Sequence, residues 1–231
     1  MTLAERIITF NRDLNFDNDL PEGIHVLNPF KENNQINDIS AEFYRKFYND
    51  NKSRHIIMGI NPGRFGAGTT GIPFTDTVRL KEKCGINIES LQTYELSSVF
   101  VYDVIQAYGG VSKFYSDYYI TSVCPLGFTK TKENGNHVNY NFYDNKQLTM
   151  AVNEFIIMNI RKQLEMGIDK DVCFCLGTGK NSKYLIELNK KEHFFDKIIP
   201  LEHPRYIMQY KLKARQEYVD KYIRLLKNKM F

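Results

Sequence analysis

Three side chains in this sequence suit a single reaction. Asn61 follows the apolar run Arg54–Ile60 (RHIIMGI) and can orient a water molecule without carrying charge. Phe74 closes the segment Met58–Phe74, MGINPGRFGAGTTGIPF, and offers a flat face on which a ring can stack. His203 follows the run Lys197–Leu201 (KIIPL) and can donate a hydrogen bond to an oxygen that gains negative charge. Such a set fits hydrolysis of a bond to a flat heterocycle that leaves as an anion. The segment holding Asn61 and Phe74 has five glycines, two prolines and Arg64 as its one charge. That composition makes either a tight turn or a main chain that a ligand can approach closely, since glycine presents no Cβ.

The elements that must position these residues read as α/β. Four apolar runs read as strands: Arg54–Ile60, Tyr118–Val123, Val172–Leu176 and Lys197–Leu201, each ended by turn chemistry (NPG, CPLG, GTG, EHP). None alternates cleanly with polar residues, which suits strands of a parallel sheet covered on both faces. Helical spacing predicts helices over Ser40–Tyr48, with Ser40 as N-cap, and over Leu91–Tyr108, Lys146–Met166, Asn181–Lys191 and Leu212–Lys229. Right-handed crossovers then put helices on both faces of the sheet. Ligands of such sheets bind beyond the carboxyl ends of the strands. The loops Asn61–Phe74, Cys124–Thr129 and Glu202–Tyr206 therefore belong together as the expected site.

Other chemistries fit less well. A phosphate loop of the G-x-x-x-x-G-K-[ST] kind fails at Gly179–Lys180, because Phe174 and Asn181 stand where Gly and Ser/Thr are needed. Gly177, Gly179 and Ser182 make only part of a dinucleotide fingerprint, so the stretch reads as a strand-to-helix turn. Cys124 and His203 both lie at strand ends, but Pro125 follows the cysteine and no helix N-terminus is evident there to lower the thiol pKa. Paired carboxylates are not evident, Asp76 and Glu202 being the acids in and just after the strand-end loops. The four cysteines form no C-x-x-C pair and read as free buried thiols, so no metal site is expected.

With 231 residues, the chain is expected to form a single domain over residues 1–231 and has enough apolar residues, 42%, to fill a core. No stretch approaches the roughly 18 apolar residues of a membrane helix. The N-terminal stretch MTLAERIITFNRDLNF carries Glu5 and Asp13, alternates like an amphipathic helix and lacks the pattern of a signal peptide, so a cytoplasmic protein is expected; a monomer is the separate expectation for its assembly. The net charge of +4 is uneven: from Arg205 onward eight Lys/Arg face only Glu217 and Asp220, and the remainder of the chain is net acidic. This basic end is either a solvated helix face or a surface for a polyanion.

The residues Gly59 to Phe74 resemble the first motif of the single-strand-selective monofunctional uracil-DNA glycosylases, G-M-N-P-G-P-F-G-M-A-Q-T-G-V-P-F, with ten of sixteen positions identical and no gap. Cys124-Pro125-Leu126 is similar to the second motif of that family, N-x-C-P-L, and His203-Pro204 to its closing H-P-S-P-R. The motifs stand in the family's order across residues 59–205. The resemblance implies a three-layer αβα sandwich on a four-stranded parallel sheet, and base excision without a metal or other cofactor from DNA carrying deaminated bases, the target nucleotide being flipped into a pocket. It implies that Asn61 positions the attacking water and His203, as a neutral imidazole, stabilises the departing base. It further implies that Phe74 stacks on that base and that Gly59, Ile60, Gly63, Phe65 and Gly66 help wall its pocket.

Two departures from the pattern bear on substrate. Where the family's second motif has an Asn that reads the polar edge of uracil, this chain has Ser122, whose shorter hydroxyl both donates and accepts. A range that extends to other deaminated bases is the expectation, with a backbone-bonded strand-end serine as the structural alternative. The closing segment reads H-P-R-Y-I-M-Q-Y, so the wedge that fills the place of a flipped base falls to Arg205 and Tyr206 or to Ile207 and Met208. Arg64, Pro204, Arg205, Tyr206 and Lys211 are the expected DNA-contacting residues. Alternatives are a catalytically weak DNA- or nucleobase-binding protein of the same fold, and an α/β protein for free nucleosides or nucleotides.

Overall fold

In the computed structural model, which describes residues 1–88 and 92–228, the strands are β1 (Ile24–Leu27), β2 (His55–Gly59), β3 (Tyr118–Ser122), β4 (Gly127–Thr131), β5 (His137–Tyr140), β6 (Val172–Leu176) and β7 (Lys197–Leu201). Strands β3-β2-β6-β7 form a parallel four-stranded sheet in that order, flanked by helices. They are the four expected strands, shortened by a residue or so at the ends of the first two. The inner strands β2 and β6 are almost wholly buried, as their unbroken apolar runs require. β7 is an edge strand with partly exposed residues, and it accommodates Pro200, which cannot donate to a ladder. The connection from β2 leads to β3 and that from β6 to β7, on opposite sides. The chain thus diverges at the carboxyl ends of adjacent strands, where a crevice opens. The register sets Gly59 beside Ser122 at that end.

A second sheet, β1-β4-β5, is antiparallel and was not expected from the sequence. Its strands are four or five residues long, and β5 alternates exposed with partly buried positions, so no apolar run marks them. It cuts short the expected loop Cys124–Thr129, because β4 begins at Gly127. That glycine is a close approach: a Cβ there would lie 2.4 Å from the carbonyl oxygen of Pro62, so the hairpin and the Asn61 loop touch through main chain.

The helices adjust the sequence reading at their ends. The helix expected over Ser40–Tyr48 begins at Asn34, and Asn33 is its cap, accepting from the Gln35 amide at 2.9 Å; Ser40 is buried in mid-helix instead. The helix expected over Leu91–Tyr108 covers Leu96–Tyr108, Leu91 itself lying outside the described residues. A separate helix, Thr77–Cys84, precedes it, capped by Asp76. The long helix runs Lys146–Glu165, with Met166 as C-cap, and the next spans Lys180–Glu192. At the C-terminus a 3₁₀ turn, Leu212–Ala214, leads into the helix Arg215–Lys227; Lys229 lies outside the described residues. The four cysteines are free and buried. Among the described residues no helix is long and apolar enough to cross a membrane.

Candidate active site

A cavity of about 140 Å³ opens at the carboxyl end of the parallel sheet. It gathers Ile60 and Asn61 after β2, Gly63 and Phe74 from the glycine-rich loop, Ser122 at the end of β3, and His203 and Arg205 after β7. These come from three stretches of chain far apart in sequence, and the sheet register is what assembles them.

Asn61 is held at both ends of its carboxamide. Nδ2 donates to the carbonyl of Tyr140 at 3.2 Å, and Oδ1 accepts from the Phe142 amide at 3.1 Å. One lone pair of Oδ1 remains for a water. The end of β5 and the turn that follows it supply the two clamps, and β5 also fixes the loop after Asn61, Asn139 Oδ1 accepting from the Arg64 amide at 3.0 Å. Within the loop, Thr69 Oγ1 donates to the Arg64 carbonyl at 2.6 Å and buried Thr70 Oγ1 to the Thr75 carbonyl at 2.6 Å. The loop is therefore ordered by its own hydroxyls before any ligand arrives.

Phe74 has φ of 52°, a left-handed conformation that a bulky residue adopts only where its surroundings impose it. Its ring lies on Gly59, where a Cβ would meet ring carbons at 2.9 and 3.0 Å. The ring centroid is 5.8 Å from that of His203. Gly59 thus seats the aromatic floor of the cavity and does not itself line it.

His203 is the N-cap of the helix Pro204–Tyr210, its Nδ1 accepting from the Arg205 amide at 3.1 Å. An accepting Nδ1 places the ring proton on Nε2. Burial, reinforced by the Arg205 charge, pushes its pKa down to about 4, so the ring is neutral at neutral pH. The residue before it, Glu202, is anchored to the C-terminal helix through Lys221 Nζ at 2.7 Å and the Tyr222 hydroxyl, which donates to the Glu202 carbonyl.

Ser122 is buried on the cavity wall and its hydroxyl bonds to no described residue, which leaves it open to a ligand. Of the other expected residues, Phe65 is half exposed with the Arg64 guanidinium 5.0 Å over its ring, and Gly66 is buried behind the Glu95 carboxyl; neither lines the cavity. Pro204 is buried in the first helical turn, while Tyr206 and Lys211 are exposed. Ile207 and Met208 are buried in the core and do not reach the surface. The carboxylates the sequence singled out are engaged in the frame, Asp76 with Arg79 at 3.1 Å and Glu202 with Lys221.

Sequence reasoning missed Glu95, Ser97, Asn139 and Asn141, which also line the cavity. They come from the start of the helix Leu96–Tyr108 and from β5 and the residue just after it, and no local pattern marked either as facing a site. Cys124 is buried and its thiol is pushed up to about 12, out of reach of nucleophilic use. Among the described residues no cluster of His, Cys, Asp and Glu could hold a metal ion.

The model of the Uracil DNA glycosylase superfamily matches residues 45–227. The crystal structure of wild-type Pedobacter heparinus SMUG2 is similar over 98% of this chain and 97% of its own, with 55% identity and a TM-score of 0.96. No curated protein matches the sequence significantly.

Proposed function

The chain belongs to the uracil-DNA glycosylase superfamily, and we propose that it is a monofunctional DNA glycosylase that hydrolyses the N-glycosidic bond of uracil, and of other deaminated bases, in DNA during base-excision repair. The flipped nucleotide stacks on Phe74. A water held by Asn61 Oδ1 attacks C1′, its oxygen bonding to carbon as the C–N bond breaks, the electron pair leaving with the base and the proton the water sheds ending, through solvent, on the released base. His203 Nε2–H donates to the base oxygen on which that charge collects. This interaction strengthens as charge separates, so it lowers the barrier more than it tightens ground-state binding. The observation that carries the reading is an imidazole whose Nδ1 accepts from the Arg205 amide, facing the same small cavity as a clamped asparagine and an aromatic floor.

No lysine lines that cavity among the described residues, which supports hydrolysis without backbone cleavage. Ser122, with its uncommitted hydroxyl, leaves the base edge less narrowly defined than an amide would, which supports a range beyond uracil. Arg64, Arg205 and Lys211 are proposed phosphate contacts. Exposed Tyr206, its ring 5.6 Å from that of exposed Tyr210 and tilted against it, is the proposed wedge.

The test is base release from labelled oligonucleotides carrying uracil, hypoxanthine or xanthine, single- and double-stranded, with alkali to reveal abasic sites. Release by the wild type that collapses in Asn61→Ala and His203→Ala supports the reading. No release from any substrate overturns it in favour of a DNA- or nucleobase-binding protein of this fold.

A further inference from the structure

Glu95 is the one acid among the described residues that line the cavity, and the mechanism above leaves it without a task. We propose that Glu95 belongs to the base pocket as a neutral carboxylic acid whose O–H faces the departing base, and that its ionisation suppresses base release. The inference rests on the glycosylase reading and deepens it.

The carboxyl is wedged against the loop that forms the pocket. A Cβ on Gly66 would lie 2.2 Å from its Oε2, and one on Gly63 would lie 3.6 Å from its Oε1. Gly66 thus makes room for this side chain, whereas a Cβ on Gly63, which lines the cavity, would only touch it at ordinary contact distance. Its partners are weak: Ser98 Oγ donates to Oε2 at 3.4 Å, and no described cation comes within ion-pair distance. The elements around it bring charges of both signs. The fully buried Asp76, ahead of the helix Thr77–Cys84, accepts from the Glu95 amide at 2.8 Å and is itself paired with Arg79 on that helix. Arg205 and His203 face it from the closing segment, and Arg64 lies on the glycine loop. Burial first, and the Asp76 charge second, push its pKa up to about 7, against the pull of Ser98 and Arg205.

A carboxylate in this cavity would oppose the reaction, because the base leaving it acquires the same sign of charge at close range and with little water between. The protonated acid carries no such charge and adds a donor. The sign is therefore fixed: base release is fastest below the pKa of Glu95 and falls as pH rises through it. An acid this near neutrality is a titrating element at physiological pH and not a permanent one.

Single-turnover base release from a uracil oligonucleotide, at saturating enzyme, is to be compared between pH 6 and 8.5 for wild type and Glu95→Gln, whose carboxamide cannot ionise. The wild-type rate should fall about thirtyfold, as one group titrating near 7 dictates, and the ratio should shrink to below about threefold in the variant. Carbon-13 NMR of the Glu95 carboxyl, assigned by its loss in Glu95→Gln, should show a midpoint near 7. A midpoint in the ordinary carboxylate range, or wild-type and variant profiles that superimpose, overturns the inference while leaving the glycosylase reading standing. No base release by the wild type at any pH overturns that reading and the inference with it.

Discussion

The two sides of the cavity are built on opposite principles. Asn61 is held by chain 79 and 81 residues away, through the Tyr140 carbonyl and the Phe142 amide. His203 is held by its own neighbours, capping the helix that begins at the next residue. The first arrangement makes the water site depend on the small antiparallel sheet. The second sets the orientation of the charge-stabilising group by a prolyl helix start, which Pro204 preorganises, while Lys221 and Tyr222 anchor the residue before it. A side chain that must aim at a water needs a distant rigid reference, whereas a donor that must stay neutral needs burial, to which the neighbouring Phe74 ring contributes, and a tautomer, which the local cap supplies.

The largest effects should fall on the two residues themselves. Asn61→Ala removes the water ligand and one clamp of the loop together, and base release should drop by about 10²–10³-fold, in the range found when a preorganised polar group is deleted from an active site. His203→Asn should cost a similar factor in base release, yet Asn is a good N-cap and keeps the helix start. The two variants part in pH behaviour. His203 has a folded-state pKa of about 4, depressed below its ordinary 6.5 chiefly by burial. The stability it contributes is present above about 6.5 and is lost as pH falls towards 4, because an imidazolium must then be buried and its Nδ1 can no longer accept the Arg205 amide. Melting temperatures from pH 7 to 4 should therefore fall more steeply in the wild type than in His203→Asn, and equally steeply in the wild type and Asn61→Ala. Parallel melting curves for wild type and His203→Asn would break the comparison on the local side.

The difference between the two sides also explains what the sequence revealed. The parallel sheet was legible because its strands are unbroken runs of β-branched and apolar residues ended by Gly and Pro, and the glycine-rich loop was legible because close main-chain approaches permit few residues. His203 followed from a strand end and a proline. The supports of Asn61 were not legible: β5 reads His-Val-Asn-Tyr, a half-exposed stretch whose alternation spans only four residues, too short to set it apart from a loop. Glu95 and Asn139 escaped for the same reason. They act through contacts between segments far apart in sequence, and a polar residue at a loop end looks alike whether it faces a cavity or water.

A smaller effect tests the distant reference directly. Asn139→Ala deletes the side chain that accepts the Arg64 amide and leaves Asn61 and its two clamps in place. The lost hydrogen bond should cost about 1 kcal/mol of stability. Base release should fall about tenfold, since the loop bearing Gly63 and Phe74 would lose its register against β5, and small displacements of a positioned group are costly in rate. The readout is the split between the single-turnover rate and DNA affinity: the rate should drop and the affinity should hold. A loss confined to affinity would mean that β5 serves the DNA surface and not the water site.

The smallest effect belongs to the surface beyond His203. Lys211 stands exposed at the end of the helix His203 caps, one residue after Tyr210, which is 71% exposed. A lysine meeting a phosphate in water exchanges a protein–phosphate contact for a released counterion, so its contribution is modest and depends on salt. Lys211→Ala should weaken DNA binding a few-fold at low salt and reduce the slope of log affinity against log salt by about 1. Tyr210→Ala removes a stacking surface and no charge, so it should weaken binding while leaving that slope where it was. If both substitutions alter the slope alike, the segment acts as one electrostatic surface and Tyr210 contributes no stacking of its own. If neither affects binding, the DNA does not cross this face, and the basic C-terminal helix is a solvated surface that serves the site only by anchoring Glu202.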